Sequence, residues 1–364
     1  MTHYKPQFDG LRALAVLAVW LSHFWPGLLP FGNGARFFFI LSGFLITSIL
    51  IDQKSQIKKP PDLGGTGFVL RQFYARRYLR IFPAYYALLL VLLLGSNEFR
   101  ESKSIWFHVS FMSNVWFATT GNFMPKILSP LWSLAVQEQF YLFWPLLVLW
   151  LPRQHLWTAV SFLIILGLAF KGALLAYGVN EVAVYTLTPG PFTALGFGAL
   201  LALVRERPRA QAIIRLLGVA SVLAIIASSS AVRLGALGNA PWMTYFMMDT
   251  LYAVALTALL SEVAAGTSEP VNTFLALAPL RYLGRISLGL YLYHMPVLLL
   301  VLKVCDTFDL PEPSAGPMRL FIVGMVTGPV AAFSWHFLEE PINRLKRFFP
   351  YQRARVFARG LMPA

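Results

Sequence analysis

Ten mostly apolar runs, each near the length that crosses a bilayer, take up most of this 364-residue chain. They are Leu11–Pro30, Arg36–Ile51, Leu79–Gly95, Leu131–Leu151, Leu156–Tyr177, Val182–Val204, Ile213–Val232, Trp242–Val263, Ile286–Val304 and Met318–Leu338. A helix of about 20 such residues spans the hydrocarbon core. In lipid a lone segment must satisfy its own backbone hydrogen bonds, which makes each run a helix. Only 13% of residues are charged, against about 25% in a soluble domain, so this surface is too poor in charge to face water all round. The predicted fold is all-α: a polytopic integral membrane bundle of about ten transmembrane helices. The second and third runs are short and are expected to be re-entrant or strongly packed. The aromatic stretch Ser104–Ala118 is broken by polar residues, and is expected to lie at the interface or fold back partway.

Ten crossings put both termini on one side. With that side cytoplasmic, most of the 30 Lys and Arg fall in inner segments, as the positive-inside rule requires. The outer loop Asp306–Glu312 is acidic. The net charge of +14 is thereby assigned to topology and lipid headgroups, and no nucleic-acid partner is implied. Residues 1–340 form the expected transmembrane domain, and 341–364 a basic cytoplasmic tail that anchors at headgroups. The first run lacks a small-residue cleavage pattern and is read as retained. The expected location is the cell (inner, cytoplasmic) membrane. Cys305 is the single cysteine, which excludes an internal disulfide, and no His/Asp/Glu spacing suggests a metal site.

Ionisable residues inside spans are costly and point to function or to buried helix–helix hydrogen bonds. The candidates are His23, Glu138, Asp249 and His294, with Arg12, Arg36, Lys171, Arg319 and His336 near helix ends. Arg12 and His23 are eleven residues apart, about three turns and ~16 Å along one helix face. Arg12 lies at the cytoplasmic end, where a planar fork suits phosphate; His23 lies past the middle, where an imidazole suits proton transfer. That reach matches a phosphate-headed thioester donor such as acyl-CoA. Glu138 and Asp249 sit at a depth comparable with His23. Arg77 and Arg80, at i and i+3, share a face and suit a polyphosphate clamp. Ser42-Gly43 reads as a close helix contact rather than a nucleophile. The buried His, Glu and Asp also fit a proton-coupled transporter or flippase, although no internal repeat supports one.

These strings, in order, resemble acyltransferase family 3, the bacterial membrane acyltransferases. They are FDGLRALAVLAVWLSHF with Arg-x10-His at Arg12 and His23, GARFFFILSGFLI, FYARRYLRIFPAYY with Arg-x-x-Arg at Arg77 and Arg80, LSPLWSLAVQEQFYLFWP around Glu138, SLGLYLYHMPV and FLEEPINRL. The resemblance implies an O-acyltransferase that moves acetyl or another acyl group from cytoplasmic acyl-CoA. The implied acceptor is a hydroxyl of a surface glycan, lipid-linked sugar or secondary metabolite. Acetyl-CoA is then a donor substrate, and no permanently bound cofactor is expected. The resemblance makes His23 the catalytic base and Arg12, Arg77 and Arg80 the donor-binding residues, with Glu138 the acidic signature residue. Glu138 would orient or stabilise the imidazole; Asp249 and His294 would line the cavity and contact substrate. Two departures stand out: Gln137-Glu138 where the family often has Glu-Glu, and Arg36 where many members have Asp. The chain resembles the stand-alone type, without a fused hydrolase-like domain.

Overall fold

The computed structural model describes residues 5–28, 33–55, 57, 63–95, 97–236, 238 and 240–351. Apolar runs become helices throughout, with no strand among the described residues. In chain order these are α1 (Gln7–Phe24), α2 (Asn33–Lys54), α3 (Leu63–Gly95), α4 (Asn97–Glu101), α5 (Ser104–Val109), α6 (Ser113–Thr120), α7 (Leu131–Trp150), α8 (Leu156–Ala176), α9 (Glu181–Thr186), α10 (Phe192–Val204) and α11 (Pro208–Arg233). After a π-helical turn at Met243–Met248 come α12 (Asp249–Ala265), α13 (Glu269–Leu275), α14 (Ala278–Arg285), α15 (Ser287–Thr307) and α16 (Pro317–Ser334). A second π turn, Trp335–Glu339, leads into α17 (Glu340–Asn343).

Seven helices among the described residues are long and apolar enough to cross a membrane. They carry the second, third, fifth and seventh to tenth expected spans, and the chain is an all-α, multi-pass membrane protein. The first and fourth expected spans fall on α1, of 18 residues, and α7, of 20. Both helices carry polar residues of the candidate site, which lowers their apolarity. Leu29 and Pro30, at the end of the first expected span, lie outside the described residues.

Two expectations need correction. The third run is not a short span but the C-terminal half of α3, a helix of 33 residues that contains Pro83. The sixth run, Val182–Val204, is not continuous. It breaks between α9 and α10, where Pro189 and Pro191 flank Gly190. Proline has no N–H to continue an intrahelical ladder. Broken backbone at membrane depth is tolerated where protein buries it or where it borders a cavity.

The segment Ser104–Ala118 does fold back. Its helix α5 meets α3 well below Gly95: the Tyr85 hydroxyl donates to the His108 carbonyl at 2.7 Å, and Tyr86 to that of Val109 at 3.0 Å. At the tip, the Phe111 carbonyl accepts from Gln139 Nε2 at 2.9 Å. Three side chains thus donate to carbonyls at the break between α5 and α6, as apolar surroundings favour.

The core helices approach closely where glycine removes a side chain. A Cβ at Gly43 would strike the Leu195 carbonyl, and one at Gly198 that of Ile40, so α2 and α10 touch backbone to backbone. Ser42-Gly43 is therefore the close helix contact that the sequence suggests. At the end of the bundle carrying Arg12, residues assigned to inner segments meet one another. Lys5 donates to the Ala264 carbonyl, Arg205 pairs with Asp52 at 2.6 Å, and Arg76 donates to the carbonyls of Lys346 and Phe349 at 3.1 and 3.2 Å. Outer-assigned residues meet at the other end, where Gly316 N–H donates to the Phe24 carbonyl at 2.7 Å. Lys5 and Tyr351, the first and last described residues, lie at the same end. Residues 352–364 of the expected tail lie outside the described residues.

Candidate active site

Three arginines from two helices converge on one cavity of about 680 Å³ counted to its open mouth. Arg12 comes from α1, and Arg77 and Arg80 from adjacent turns of α3; all three are half-buried. Asp9 pairs with Arg12 at 2.5 Å. The Arg77 guanidinium lies 4.3 Å from the centroid of the Tyr141 ring, a cation–π contact. The polar wall between them comes from Ser42, Gln137 and Tyr141, of which the sequence did not single out Tyr141. Tyr141 hydroxyl donates to Gln137 Oε1 and to Ser42 Oγ, both at 3.0 Å. Ser42 touches no base, so nothing activates its hydroxyl.

Residues 137–139 fan out from α7 in three directions, as helical spacing dictates. Gln137 faces the arginine cavity. Glu138 turns away, buried, into the field of Arg77 and the tyrosines of α3, with one carboxylate oxygen lacking a hydrogen-bond partner. Gln139 reaches the re-entrant segment, bonding Phe111 and Asn114. The first residue of the family's acidic pair, here neutral, is thus the one beside the arginines. A carboxylate there would offset part of their charge; the amide leaves the cavity more cationic.

His23 does not line this cavity. It is exposed, with Nδ1 3.2 Å from Met295 Sδ, and its ring meets that of His294 edge-on at 5.1 Å. His294 is fully buried and packs 5.8 Å from the Tyr291 ring. Tyr291 does line the cavity, and its hydroxyl bonds Ser133 Oγ at 2.7 Å and the Pro130 carbonyl at 2.8 Å. A path of rings therefore runs from the arginines through Tyr291 and His294 to His23. No hydrogen bond or ion pair joins Glu138 to His23, so the expected carboxylate partner of the imidazole is replaced by a second imidazole.

Asp249 lies elsewhere, buried at the start of α12 between Arg36 and Lys171, and pairs with both. The unusual Arg36 thereby finds its counter-ion 213 positions along the chain, a pairing that one sequence could not reveal. Arg319 is held by the Pro313 carbonyl, and His336 by Tyr282 at 3.1 Å and Glu340 at 3.4 Å. Arg76, beside the clamp, is covered by the turn after α17 and by the Tyr351 ring at 5.3 Å. The start of the basic tail therefore folds onto α3 rather than standing free.

No solved structure matches this chain. Among curated proteins it is similar to the peptidoglycan O-acetyltransferase OatA of Listeria monocytogenes, at 29% identity over 94% of this chain and 56% of that protein. It is also similar to the putative peptidoglycan O-acetyltransferase YrhL of Bacillus subtilis, at 30% over 97% and 57%. To the O-acetyltransferase OatA of Staphylococcus aureus it is 29% identical over 99% of the chain and 61% of that protein. The chain thus spans a little over half the length of these relatives. A family model described as an acyltransferase domain matches residues 5–335, which takes in α1 with Arg12 and His23, the Arg77–Arg80 pair and all of α7. With its order of helices and its arginine cavity both inside the matched region, the chain belongs to acyltransferase family 3.

Proposed function

We propose that the chain is a membrane O-acetyltransferase that takes an acetyl group from acetyl-CoA on the cytoplasmic side and passes it to a hydroxyl of a glycan. Of the relatives named above, one is a peptidoglycan O-acetyltransferase and a second a putative one, which favours a glycan over a small metabolite. The observation that carries the reading is the convergence of Arg12, Arg77 and Arg80 on one cavity, at the end of the bundle where the basic segments gather.

Guanidinium forks bind phosphate oxygens in pairs, and a half-buried cluster holds them more firmly than surface lysines do. The donor's phosphates would sit there, with its pantetheine arm directed along the wall formed by Ser42, Tyr141 and Tyr291. His23 acts as general base. Its imidazole takes the proton from the acceptor hydroxyl as the oxygen attacks the thioester carbonyl. The C–O bond forms, the C–S bond breaks, and the thiolate takes up a proton as CoA leaves. Tyr291 and His294 separate the cavity from His23, so the thioester meets His23 only when that layer of rings moves. General-base catalysis contributes about 10²–10⁴-fold, and fixing both reactants in place contributes beyond that.

The test uses the full chain in lipid nanodiscs with radiolabelled acetyl-CoA and a glycan acceptor. Label should reach the glycan with wild type and not with His23→Ala. Near-normal transfer by His23→Ala removes the base from this mechanism, and no acetyl-CoA binding by wild type removes the donor.

A further inference from the structure

We propose that a second cavity, at the opposite end of the bundle from the arginine mouth, is the acceptor site, and that it takes an uncharged pyranose unit of the glycan. This rests on the function proposed above and names where its second substrate binds.

The cavity measures about 610 Å³ to its open mouth and is lined by Arg36, Phe123, Glu181, Tyr185, Thr244 and Tyr245. Ligand pockets for small organic groups run to about 300–1,000 Å³. Its walls are the irregular parts of the fold. One is α9, the short helix left by the break in the sixth apolar run. Another is the π turn Met243–Met248, which presents Thr244 and Tyr245. π turns within helices recur at functional sites, and broken helices at membrane depth border cavities. Two independent departures from regular helix therefore face one space.

The wall is built in advance. Asn180 caps α9 by accepting from the Ala183 N–H at 2.9 Å, and its amide donates to the Ala118 carbonyl at 3.0 Å. The buried Asn114 of the re-entrant segment reaches the Thr186 carbonyl at 3.4 Å and Thr188 Oγ1 at 3.2 Å. The Arg36 guanidinium lies 5.5 Å from the Tyr185 ring centroid, and Asp249, itself paired with Lys171, holds that arginine from below.

Charge and shape select the ligand. Arg36 and Lys171 carry two positive charges, and Asp249 and Glu181 two negative ones, so the site is electrically balanced and gives an ionic ligand no advantage. The Tyr185 and Tyr245 rings, centroids 6.2 Å apart and tilted by 64°, give the cavity aromatic surface against which the C–H side of a sugar can pack. At the exposed rim the Glu181 carboxylate accepts from Tyr245 hydroxyl at 2.9 Å and can accept from sugar hydroxyls as well. Aromatic faces with a few placed polar groups fit a pyranose better than a lipid tail.

The site is also close to the donor. Trp132 packs against Tyr185 at 4.7 Å, and the next residue, Ser133, lines the arginine cavity. Arg36 lines the outer cavity and Phe38, two residues on, the inner one. The two cavities therefore share α2, and Trp132 and Ser133 place a thin wall of α7 between them.

The experiment measures binding to the full chain in nanodiscs, with chitotriose as a soluble neutral saccharide and with CoA, by calorimetry. Wild type should bind both. Glu181→Gln, at the exposed rim, and Tyr245→Leu should each weaken chitotriose about tenfold while leaving CoA affinity within about twofold. No chitotriose binding by wild type, or unchanged chitotriose affinity in both variants, overturns the assignment. Parallel loss of CoA and chitotriose in Glu181→Gln also overturns it, since the rim would then act through the whole fold. Chitotriose binding that follows the variants, with no acetyl transfer from acetyl-CoA to any glycan, leaves this pocket standing and removes the proposed function instead.

Discussion

The imidazoles of His23 and His294 stand 5.1 Å apart, centroid to centroid, with their planes at 83°. His294 Nδ1 lies 2.7 Å from the Tyr291 carbonyl oxygen. A carbonyl only accepts, so Nδ1 carries the proton and Nε2 the lone pair. That Nε2 is buried and has no hydrogen-bond partner. One imidazole is thus fixed in tautomer and sealed in protein, and the other is exposed beside it. His294→Leu should therefore lower turnover about tenfold with CoA affinity unchanged, and His23→Ala should lower it by about 10²–10⁴. Single-turnover acetyl transfer by each variant checks the order. Equal rates for His294→Leu and wild type would make His294 a packing residue.

Arg77→Ala and Arg80→Ala should raise the KM for acetyl-CoA more than they lower kcat, because a clamp on the phosphates acts before and during the reaction alike. Lysine should not restore Arg77. A compact ammonium cannot reproduce the guanidinium's contact over the Tyr141 ring at 4.3 Å or the paired donors of the fork. A loss confined to kcat in both variants contradicts the clamp.

Gln137→Glu places a carboxylate among Arg12, Arg77 and Arg80. It should weaken CoA binding on the order of tenfold, about 1.4 kcal/mol, with a smaller loss at high salt, where all these charges are screened. Calorimetry at two ionic strengths checks this. Tighter CoA binding in the variant would mean that the phosphates sit away from this wall.

Much of this molecule was legible in the sequence because the membrane imposes strong rules. That the apolar runs are helical and multi-pass follows from hydrocarbon thickness, the shared face of Arg77 and Arg80 follows from helical pitch, and the cavity collects both of them with Arg12. Contacts between distant segments were not legible. Arg36 looked like an anomaly until Asp249 and Lys171 appeared beside it. Glu138 looked like a partner for His23 by depth alone, but depth says nothing of azimuth, and its helix turns it towards α3. The break after α9 was hidden because Pro189, Gly190 and Pro191 sit in an otherwise apolar run whose length fits one crossing.

Gly43→Val should destabilise the fold, because its side chain would enter the space of the Leu195 carbonyl. Overpacking a tight contact costs about 1–3 kcal/mol, and here the obstacle is backbone, which cannot rotate aside. Lower thermal stability in detergent, with the residual folded fraction still binding CoA, is the expected result. Unchanged stability would show that α2 and α10 can separate freely.

Asp249 is expected to hold the fold rather than touch substrate. Its two oxygens pair with Arg36 and Lys171, and all three residues are buried. Asp249→Leu leaves two cations without their counter-ion in apolar surroundings, and breaking a buried pair in this way costs about 3–5 kcal/mol. Replacing the whole triad with apolar residues of similar size is often neutral, so Asp249→Leu with Arg36→Met and Lys171→Met should recover most of the thermal stability. Unfolding of the single and triple variants in one detergent separates the two roles. A substrate-contacting aspartate would leave the single variant as stable as wild type and raise only the KM for acceptor; a structural one gives a single variant that melts early and a triple variant that does not.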